Sequence, residues 1–455
     1  MNRRTIAIAA LILAIAPVAG AQSLADQYRA TTDRIAAAAL SDSAAWNRIS
    51  ELTEKFGNRI SGSQSLEQAI DWIIVQMKAD GLDNVRGEPV MVPRWVRGAE
   101  SAEMVAPRRQ NLPMLGLGGS IATPTGGITA EVLVVTSYDD LTAKAAQAKG
   151  KIVLFNVPFT NYGETVRYRG GGAVAAAKAG AVASMIRSVT PYSMRTPHTG
   201  GMAYDSTVTK IAHFAITPED ADMIARLTAR GEKVRVHVTM SAQMMPDAPS
   251  RNVMGELRGR ELPDEVVVVG GHIDSWDVGR GAMDDAGGVV AAWEALRILK
   301  RLNLQPRRTI RAVGWTNEEN GSRGGNAYRD AHKADADKHI LAIESDGGVF
   351  RPTGFGFTGS DAAMTVAQEV GALIERAVPG SGAITKGGGG ADIGPIMGLG
   401  VPGMGLNVSD ARYFWFHHTD ADTVDKLDPK EVAQCAAVMA IMAYVVADMP
   451  QRLPR

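Results

Sequence analysis

The chain has 455 residues, of which 45% are hydrophobic and 21% are charged, a composition that excludes a disordered or fibrous protein and favours a globular one. Its length predicts more than one domain. The 48 lysine and arginine residues nearly balance the 49 aspartate and glutamate residues, so no overall field attracts a polyanion, and nucleic acid is not expected as a partner.

Residues 1–21 have the pattern of a signal peptide. Two arginines precede an apolar run from Ile6 to Ala16, and small residues follow up to Ala21. The alternative, a short membrane anchor, is disfavoured because the run is well below the ~20 apolar residues that span a bilayer. We expect cleavage after Ala21 and a periplasmic or secreted mature chain that is not held by a membrane.

The next sections of the chain differ in their hydrophobic pattern. The stretch "SLEQAIDWIIVQMKADGL" has apolar residues at helical spacing and predicts an amphipathic helix that ends at Gly81. Residues 107–127 are rich in proline and glycine and have no period, so we place a domain boundary there. Residues 128–242 contain short strands and helices without a dense cluster of potential ligands, which indicates a small self-contained domain.

From Asn252 onward, apolar strands alternate with helices. The strands are "EVVVVGGHID", "TIRAVGWTNEE" and "HILAIESD". This alternation predicts an α/β fold with a mainly parallel sheet covered by helices on both faces. Ligands bind at the carboxyl ends of the strands in such sheets, and these three strands end in ionisable residues.

An apolar run near the C-terminus, "VAQCAAVMAIMAYVVADM", is predicted to be a core helix because it has too few apolar residues to span a bilayer. It contains the only cysteine, Cys435, so no intramolecular disulfide can form, and we expect this thiol to be packed in the core.

Three of the eight histidines have a sequence context that suggests metal binding. The other five are expected to be surface or satisfied core residues, namely His198, His213, His237, His332 and His339. His272 lies two residues before Asp274, so on a strand both side chains point to one face, and Asp274 could accept a hydrogen bond from the far nitrogen of a metal-bound imidazole. The alternative for Asp274 is a loop-capping role. The pair His417-His418 precedes Asp422 in "FHHTDADT".

Two pairs of adjacent carboxylates complete the pattern. Asp284 and Asp285 repel each other unless a cation holds them, although one of them could cap the following helix. Glu318 and Glu319 point in opposite directions if they lie on a strand, so that one could bind metal while the other acts as a general base. Such a pair is also common as solvated surface.

Two histidines and three carboxylates therefore form the candidate ligand set: His272, Asp284, Glu319, Asp346 and His418. Five ligands are more than one tetrahedral zinc needs and suit two metals that share a bridging carboxylate. Mixed imidazole and carboxylate ligation favours zinc, and manganese or cobalt could use the same donors.

These motifs, in this order, resemble those of the two-zinc exopeptidases, the family that includes bacterial leucyl aminopeptidases and carboxypeptidase Q (plasma glutamate carboxypeptidase), and within it they are most similar to carboxypeptidase Q. The resemblance covers nearly all of the mature chain, through "GNRISGS", "GGHIDSWDVGRGAMDDAGG", "WTNEENG", "ESDGG" and "FHHTDADT". It implies a zinc-exopeptidase (phosphorylase/hydrolase-like) catalytic domain made of residues 22–127 and 243–455. Residues 128–242 would be an inserted domain of the protease-associated type.

The resemblance also implies roles for single residues. Asp284 would bridge two zinc ions, with His272 and Asp346 on one ion and Glu319 and His418 on the other. Glu318 would be the general base, Asp274 would be the hydrogen-bond partner of His272, and the peptide between Asp284 and Asp285 would be cis.

The implied activity is the hydrolysis of short peptides or dipeptides by an exopeptidase, and the resemblance allows a homodimer. Two alternatives are a non-catalytic binding or receptor protein on the same fold and an acyltransferase similar to glutaminyl cyclases, which usually bind one zinc. The complete ligand set favours hydrolysis over both. In "GGGGADIGPIM" the chain lacks the histidine of the Ser-Asp-His-x-Pro-Phe motif of aminopeptidase relatives, so their substrate contacts are not transferred to it.

Overall fold

A computed structural model describes residues 23–409 and 411–455. The signal peptide expected at residues 1–21 lies outside the described residues. The α-helices of the described chain are α1 (Leu24–Leu40), α2 (Ala44–Phe56), α3 (Gln64–Ala79), α4 (Tyr138–Ala143), α5 (Ala145–Ala148), α6 (Tyr162–Lys178), α7 (Pro218–Ala229), α8 (Gly287–Arg301), α9 (Arg323–His332), α10 (Asp361–Ala377), α11 (Gly394–Met397), α12 (Tyr413–Phe416) and α13 (Pro429–Asp448).

The strands of the described chain belong to two sheets. They are β1 (Asp83–Val96), β2 (Glu100–Ala106), β3 (Gln110–Leu112), β4 (Met114–Gly116), β5 (Ile128–Val135), β6 (Ile152–Phe155), β7 (Ala183–Arg187), β8 (Ala212–Ile216), β9 (Arg235–Met240), β10 (Gln243–Leu257), β11 (Leu262–His272), β12 (Arg308–Trp315), β13 (His339–Glu344), β14 (Pro352–Thr358), β15 (Ala383–Lys386) and β16 (Gly403–Val408).

The first sheet carries the strands that the alternating pattern predicted. Its order is β1-β10-β12-β11-β13-β16-β14-β15. The central pairs β12–β11, β11–β13 and β13–β16 are parallel, and antiparallel pairing brings in β10 and β14 on either side. Helices cover both faces and four of the seven strand pairs are parallel, so the predicted α/β class with a mainly parallel sheet covered by helices is confirmed.

The valine run of β11 shows why this strand is buried on both faces. Val267 and Val269 pack into the core under α8 and α13, whereas Val266 and Val268 pack into a second core on the side of α9 and α11. Successive strand side chains point to opposite faces, so a continuous apolar run satisfies two helix layers at once.

The second sheet has the order β3-β2-β9-β5-β6-β7-β8-β4. Two hydrophobic cores lie on the two faces of this sheet. The side chains of β6 alternate between them, because Ile152 and Leu154 pack in one core and Val153 and Phe155 in the other. We call residues 100–240, which contain this sheet, the inserted unit.

The inserted unit begins earlier than the boundary that the sequence suggested. Residues 100–116 were assigned to the catalytic domain, and the structure places their strands β2, β3 and β4 in the second sheet. β3 and β4 are three residues each, too short to show a period, and β2 pairs with β9, more than a hundred residues later in the chain. We propose that the inserted domain includes these residues and that the rest of the chain forms the catalytic domain.

α13 is the one described helix that is long and apolar enough to cross a membrane, and 89% of its apolar window is buried inside the protein. It packs against α8, α1 and α10 on one face of the first sheet. Cys435 lies within it, fully buried, and its thiol donates to the main-chain oxygen of Phe350 at 3.1 Å. The predicted core helix is therefore present.

The close approach of α8 to β13 depends on Gly288. A Cβ on this residue would overlap the main-chain oxygen of Ser345 and would lie 2.5 Å from Oδ2 of Asp285. We expect Gly288→Ala to lower the free energy of unfolding by about 1–3 kcal/mol, as overpacked cores do, measured as a lower midpoint of thermal unfolding.

Gly163→Ala is the matched control, because a Cβ at this helical glycine would meet only Oδ1 of Asn161, at 3.6 Å. We expect its midpoint to stay the same or to rise slightly, since alanine favours a helix over glycine by ~1 kcal/mol. Equal midpoints for the two variants would contradict the packing argument.

Candidate metal centre

The candidate site lies at the carboxyl ends of β11, β12 and β13, as the sequence predicted. His272 is the last residue of β11, but Asp274 follows that strand rather than lying on it. β12 ends at Trp315, so Glu318 and Glu319 lie in the turn after it and not on the strand that the sequence suggested. Asn317, in the left-handed region at φ 68°, redirects the chain between the strand and this turn.

Asp284 is held in the middle of the site by its main chain. The N–H groups of Ala282, Met283 and Asp284 donate to the carboxylate of Asp422 at 3.0, 2.8 and 3.2 Å. The peptide between Asp284 and Asp285 is cis, as the resemblance implied. Asp422, which the sequence noted only as a neighbour of His418, is thus the residue that fixes the Asp284 loop.

Arg59 supports the same loop from the other side. Its fully buried guanidinium donates to the main-chain oxygens of four residues, which are Gly57, Ile273, Arg280 and Gly281, at distances between 2.7 and 3.1 Å. Arg59 belongs to the "GNRISGS" motif, which directly precedes α3. The motif therefore holds the segment between β11 and Asp284 at both ends, at Ile273 and at Arg280 and Gly281.

The two oxygens of Asp284 face two separate groups of side chains. Oδ1 lies 3.1 Å from Nε2 of His272, which in turn lies 3.3 Å from Oδ1 of Asp346. Oδ2 lies 3.3 Å from Nε2 of His418, which lies 3.0 Å from Oε2 of Glu319. The structure therefore brings together all five residues of the predicted ligand set, with Asp284 between the two pairs.

These spacings fit metal ligands. Zinc bonds of about 2.1 Å in a tetrahedron separate neighbouring ligand atoms by about 3.4 Å, close to the four distances around Asp284. Oδ2 of Asp284 and Oε1 of Glu319 are buried without a hydrogen-bond partner among the described residues. Buried carboxylate oxygens without donors are costly, and a cation would satisfy them.

The electrostatics of the cluster also favour a bound cation. Burial opposes the charged ring of His418, but the carboxylates of Glu319 and Asp284 outweigh it and raise the pKa of this histidine to about 10. Burial followed by the charge of Asp284 raises the pKa of Glu319 to about 7. The buried carboxylates are therefore stabilised by positive charge nearby, which protons or metal cations can supply.

Asp274 and Asp285 act on the ligands through main-chain groups. Nδ1 of His272 donates to the main-chain oxygen of Asp274 at 2.9 Å, whereas the Asp274 carboxylate is 3.8 Å away. That carboxylate accepts from the N–H of Glu318 at 3.1 Å instead. Asp285 accepts from the N–H of His272 at 3.0 Å and from that of Gly288, the start of α8, at 2.9 Å. The sequence thus indicated the right partner for His272 but the wrong atom.

His417, the neighbour of His418, also approaches the centre. Its Nε2 is 3.6 Å from Oδ2 of Asp284, and its ring stacks on that of His418 with 3.5 Å between the centroids. Burial, followed by the charge of His418, lowers the pKa of His417 well below its usual value. Both histidines are thus close enough to Asp284 to be tested as ligands.

A cavity of about 290 Å³ opens beside the cluster and contains Glu318 in its wall. The inserted unit supplies the opposite wall, with Tyr162, Arg169 and Gly201. These residues were not predicted from the sequence, because no local pattern shows that α6, which ends more than eighty residues before β11 begins, folds back over the site.

His198 and Asp277 also make contacts near the site that the sequence did not predict. His198, expected to be a surface or satisfied core histidine, is a core histidine that donates from Nδ1 to the main-chain oxygen of His417 at 2.7 Å. Asp277, to which no role is assigned from the sequence, accepts from Nε of Arg97 at 2.8 Å. Arg97 lies just before the inserted unit and also donates to the hydroxyl of Thr199 within it at 3.2 Å, so this arginine joins the inserted unit to the strand-end loops of the first sheet.

Comparisons with known proteins agree on one family. The model of peptidase family M28 matches residues 252–443. Carboxypeptidase Q of Mus musculus is 48% identical over 413 residues, which are 90% of this chain and 87% of that protein. The solved structure of a peptidase M28 precursor from Shewanella amazonensis SB2B has a TM-score of 0.91 and 36% identity, covering 94% of this chain and 99% of that one. A zinc aminopeptidase from Bacillus subtilis shares the fold, with a TM-score of 0.67 at 21% identity and a coverage of 90% and 96%.

The support of the Asp284 loop by Asp422 can be tested without metal. We expect Asp422→Ala to lower the free energy of unfolding by at least about 2 kcal/mol, since each buried N–H left without an acceptor costs about 1–3 kcal/mol. The measurement is thermal unfolding of protein stripped by a chelator. Asp420→Ala is the control, because Asp420 is exposed and accepts only from the N–H of Gly279, at 3.3 Å. An unchanged midpoint for the Asp422 variant would contradict this role.

Proposed function

Because this chain belongs to peptidase family M28 and is a metallo-exopeptidase, we propose that it is an exported enzyme that hydrolyses short peptides, with two zinc ions held around Asp284 and with Glu318 as its general base. The observation that carries the proposal is the placement of Asp284, whose two oxygens face two separate histidine and carboxylate pairs. The complete ligand set argues against a non-catalytic binding protein.

The proposed ligands divide between two ions. His272 and Asp346 would hold the first, Glu319 and His418 the second, and Asp284 both. Manganese or cobalt could substitute for zinc, since the same donors suit these ions. When bound, the metal supplies Lewis-acid polarisation of the scissile carbonyl and acidifies water.

Glu318 would move the protons of the reaction. Its main chain is fixed by the carboxylate of Asp274, and its side chain lines the cavity. Burial, together with the charges of Asp346 and Glu319, raises the pKa of Glu318 well above its usual value despite the opposing effect of His272. A carboxylate with a raised pKa can accept a proton from the attacking water and deliver it to the nitrogen of the leaving amine.

Export is proposed from residues 1–21 alone, with cleavage after Ala21. Short peptides are proposed as substrates because the cavity beside the cluster, about 290 Å³, is small and has the inserted unit as one wall. We propose zinc as the native metal, since the B. subtilis protein of the same fold is a zinc aminopeptidase.

Removal of the proposed base should abolish turnover but not metal binding. We expect Glu318→Gln to keep about two metal ions per chain by elemental analysis and to hydrolyse dipeptides about 10²–10⁴-fold more slowly, the range of general acid-base catalysis. Glu164→Gln, an exposed glutamate on α6, is the control and should match the wild type. A near-normal rate for Glu318→Gln would refute the assignment.

The adjacent histidines give a matched pair for the ligand assignment. We expect His418→Ala to lose one metal ion per chain, because its Nε2 lies within 3.3 Å of both Asp284 and Glu319. His417→Ala removes the same chemical group one residue earlier and should retain both ions. Elemental analysis after dialysis measures the result, and loss of metal from the His417 variant alone would reverse the assignment.

A further inference from the structure

A second cavity lies within the inserted unit. Its volume is about 720 Å³, more than twice the 290 Å³ of the cavity beside the Asp284 cluster. Its walls are α4, the start of α5, one side of α6 and residues 203–205. The candidate metal ligands and the proposed base do not line it, so the proposed function leaves this cavity without an explanation.

The lining is mostly apolar, and its hydroxyl groups are already hydrogen-bonded to the protein. The hydroxyl of Tyr138 donates to the main-chain oxygen of Arg167 at 2.6 Å, and that of Thr142 donates to the main-chain oxygen of Tyr138 at 2.9 Å. The hydroxyl of Tyr204 donates to the main-chain oxygen of Ile211 at 2.6 Å. These three residues therefore offer carbon atoms to a ligand.

Glycine occurs in the middle of α6 where this helix lines the cavity. A Cβ on Gly170 would meet no atom within 4 Å, so packing does not exclude a side chain there. Gly172 differs, because its Cβ would lie 3.1 Å from Cε1 of His213. Glycine inside a helix is less stable than alanine, since it loses more backbone freedom on folding. Gly170 thus leaves space open in a position where a larger residue would stabilise the helix.

Lys178 and Asp205 are the two charged residues among the described residues of this lining. Their nearest nitrogen and oxygen atoms are 3.6 Å apart, beyond hydrogen-bonding distance. Oδ1 of Asp205 accepts instead from the N–H and the hydroxyl of Thr207, at 2.9 and 2.7 Å. Lys178 is exposed at the rim, and its ammonium has three donors that can bind an anion.

A cationic ligand is disfavoured at this rim. The carbonyl groups at the end of a helix attract cations. In α6, however, the carbonyl groups of residues 175–177 accept from the N–H groups of residues 179–180, at 2.9 to 3.3 Å. The ammonium of Lys210 also lies 5.4 Å from the ring centroid of Tyr204, so a second positive charge lies beside the lining.

We propose that this cavity binds an amphipathic carboxylate, a molecule with an alkyl or aryl body and one carboxylate group. The apolar body lies between α4 and α6, and the carboxylate accepts from Lys178. Small-molecule sites typically have volumes of ~300–1,000 Å³ and mostly apolar walls, with a few polar groups that orient the ligand. This inference goes beyond the proposed function and does not depend on it.

The test is a calorimetric titration of zinc-loaded, full-length protein with decanoate below its micelle concentration. We expect a single site per chain. Octanoate should bind more weakly, by up to about fourfold for each methylene that is lost from the buried body. Decanol should bind about two- to fivefold more weakly than decanoate, the range of a partly exposed ion pair, and decyltrimethylammonium more weakly still.

Two substitutions test the apolar part of the site. Ala145 on α5 and Ala175 on α6 line the cavity, so Ala145→Phe and Ala175→Phe should each fill part of it. We expect each to weaken decanoate binding about 10-fold, equivalent to two methylenes that are no longer buried. Ala146→Phe is the matched control, because Ala146 is exposed and does not line the cavity. It should bind decanoate as the wild type does.

A substitution at the rim tests the charge. We expect Lys178→Met to lower the affinity for decanoate to that for decanol, with the affinity for decanol unchanged. Lys149→Met is the control, because it removes an exposed lysine of the inserted unit that does not line the cavity. It should keep the preference for decanoate. A thermal unfolding midpoint near that of the wild type confirms that each variant is folded.

A carboxylate could also bind at the candidate metal centre, and protein stripped by a chelator separates the two sites. We expect decanoate to keep its affinity for the stripped protein. Loss of binding with the metal would overturn the proposal, as would decanol binding as tightly as decanoate or no binding of decanoate at all. An unchanged affinity in both phenylalanine variants would exclude the cavity as the site. These outcomes do not involve peptide hydrolysis, so each of them leaves the proposed function untouched.

Discussion

Mutual repulsion of buried carboxylates is the constraint on which the arrangement of this site depends. Six such groups are buried around one edge of the first sheet: Asp274, Asp284, Asp285, Glu344, Asp392 and Asp422. Like charges in a low-dielectric environment raise one another's pKa values, and burial adds to the cost. A fold can keep these groups together only if donors or cations compensate them.

The chain compensates most of them with main-chain N–H groups. Asp422 receives three, Asp285 receives two, and Glu344 accepts from the N–H groups of Asp392 and Ile393 at 3.0 and 2.8 Å. These carboxylates shape the loops. The oxygens left without donors include Oδ2 of Asp284, at the centre of the cluster. Among the described residues, Oε1 of Glu344 and both oxygens of Asp392 also lack donors, so the N–H groups identify the carboxylates that build the loops but do not by themselves identify those that bind cations.

The site residues that could be predicted from the sequence are those whose position follows from the order of strands along the chain. His272 is the last residue of one buried strand and Asp346 lies two residues after the end of another, so a correct strand prediction also locates these candidate ligands at one edge of the sheet. The sequence could not show where each strand ends, because the turn at Asn317 depends on a left-handed residue and not on hydrophobicity. Arg169 and His198 were not predicted for another reason, since each reaches the site by a contact between units that no periodicity encodes.

The contacts between the units make the inserted unit part of the candidate metal centre. Thr199 and His418 form a reciprocal pair, in which the N–H of Thr199 donates to the main-chain oxygen of His418 at 3.0 Å and Nδ1 of His418 donates back at 3.3 Å. His418 has φ 61°, a left-handed conformation that costs a residue other than glycine about 1–2 kcal/mol. The inserted unit therefore fixes both the backbone and the ring of this histidine.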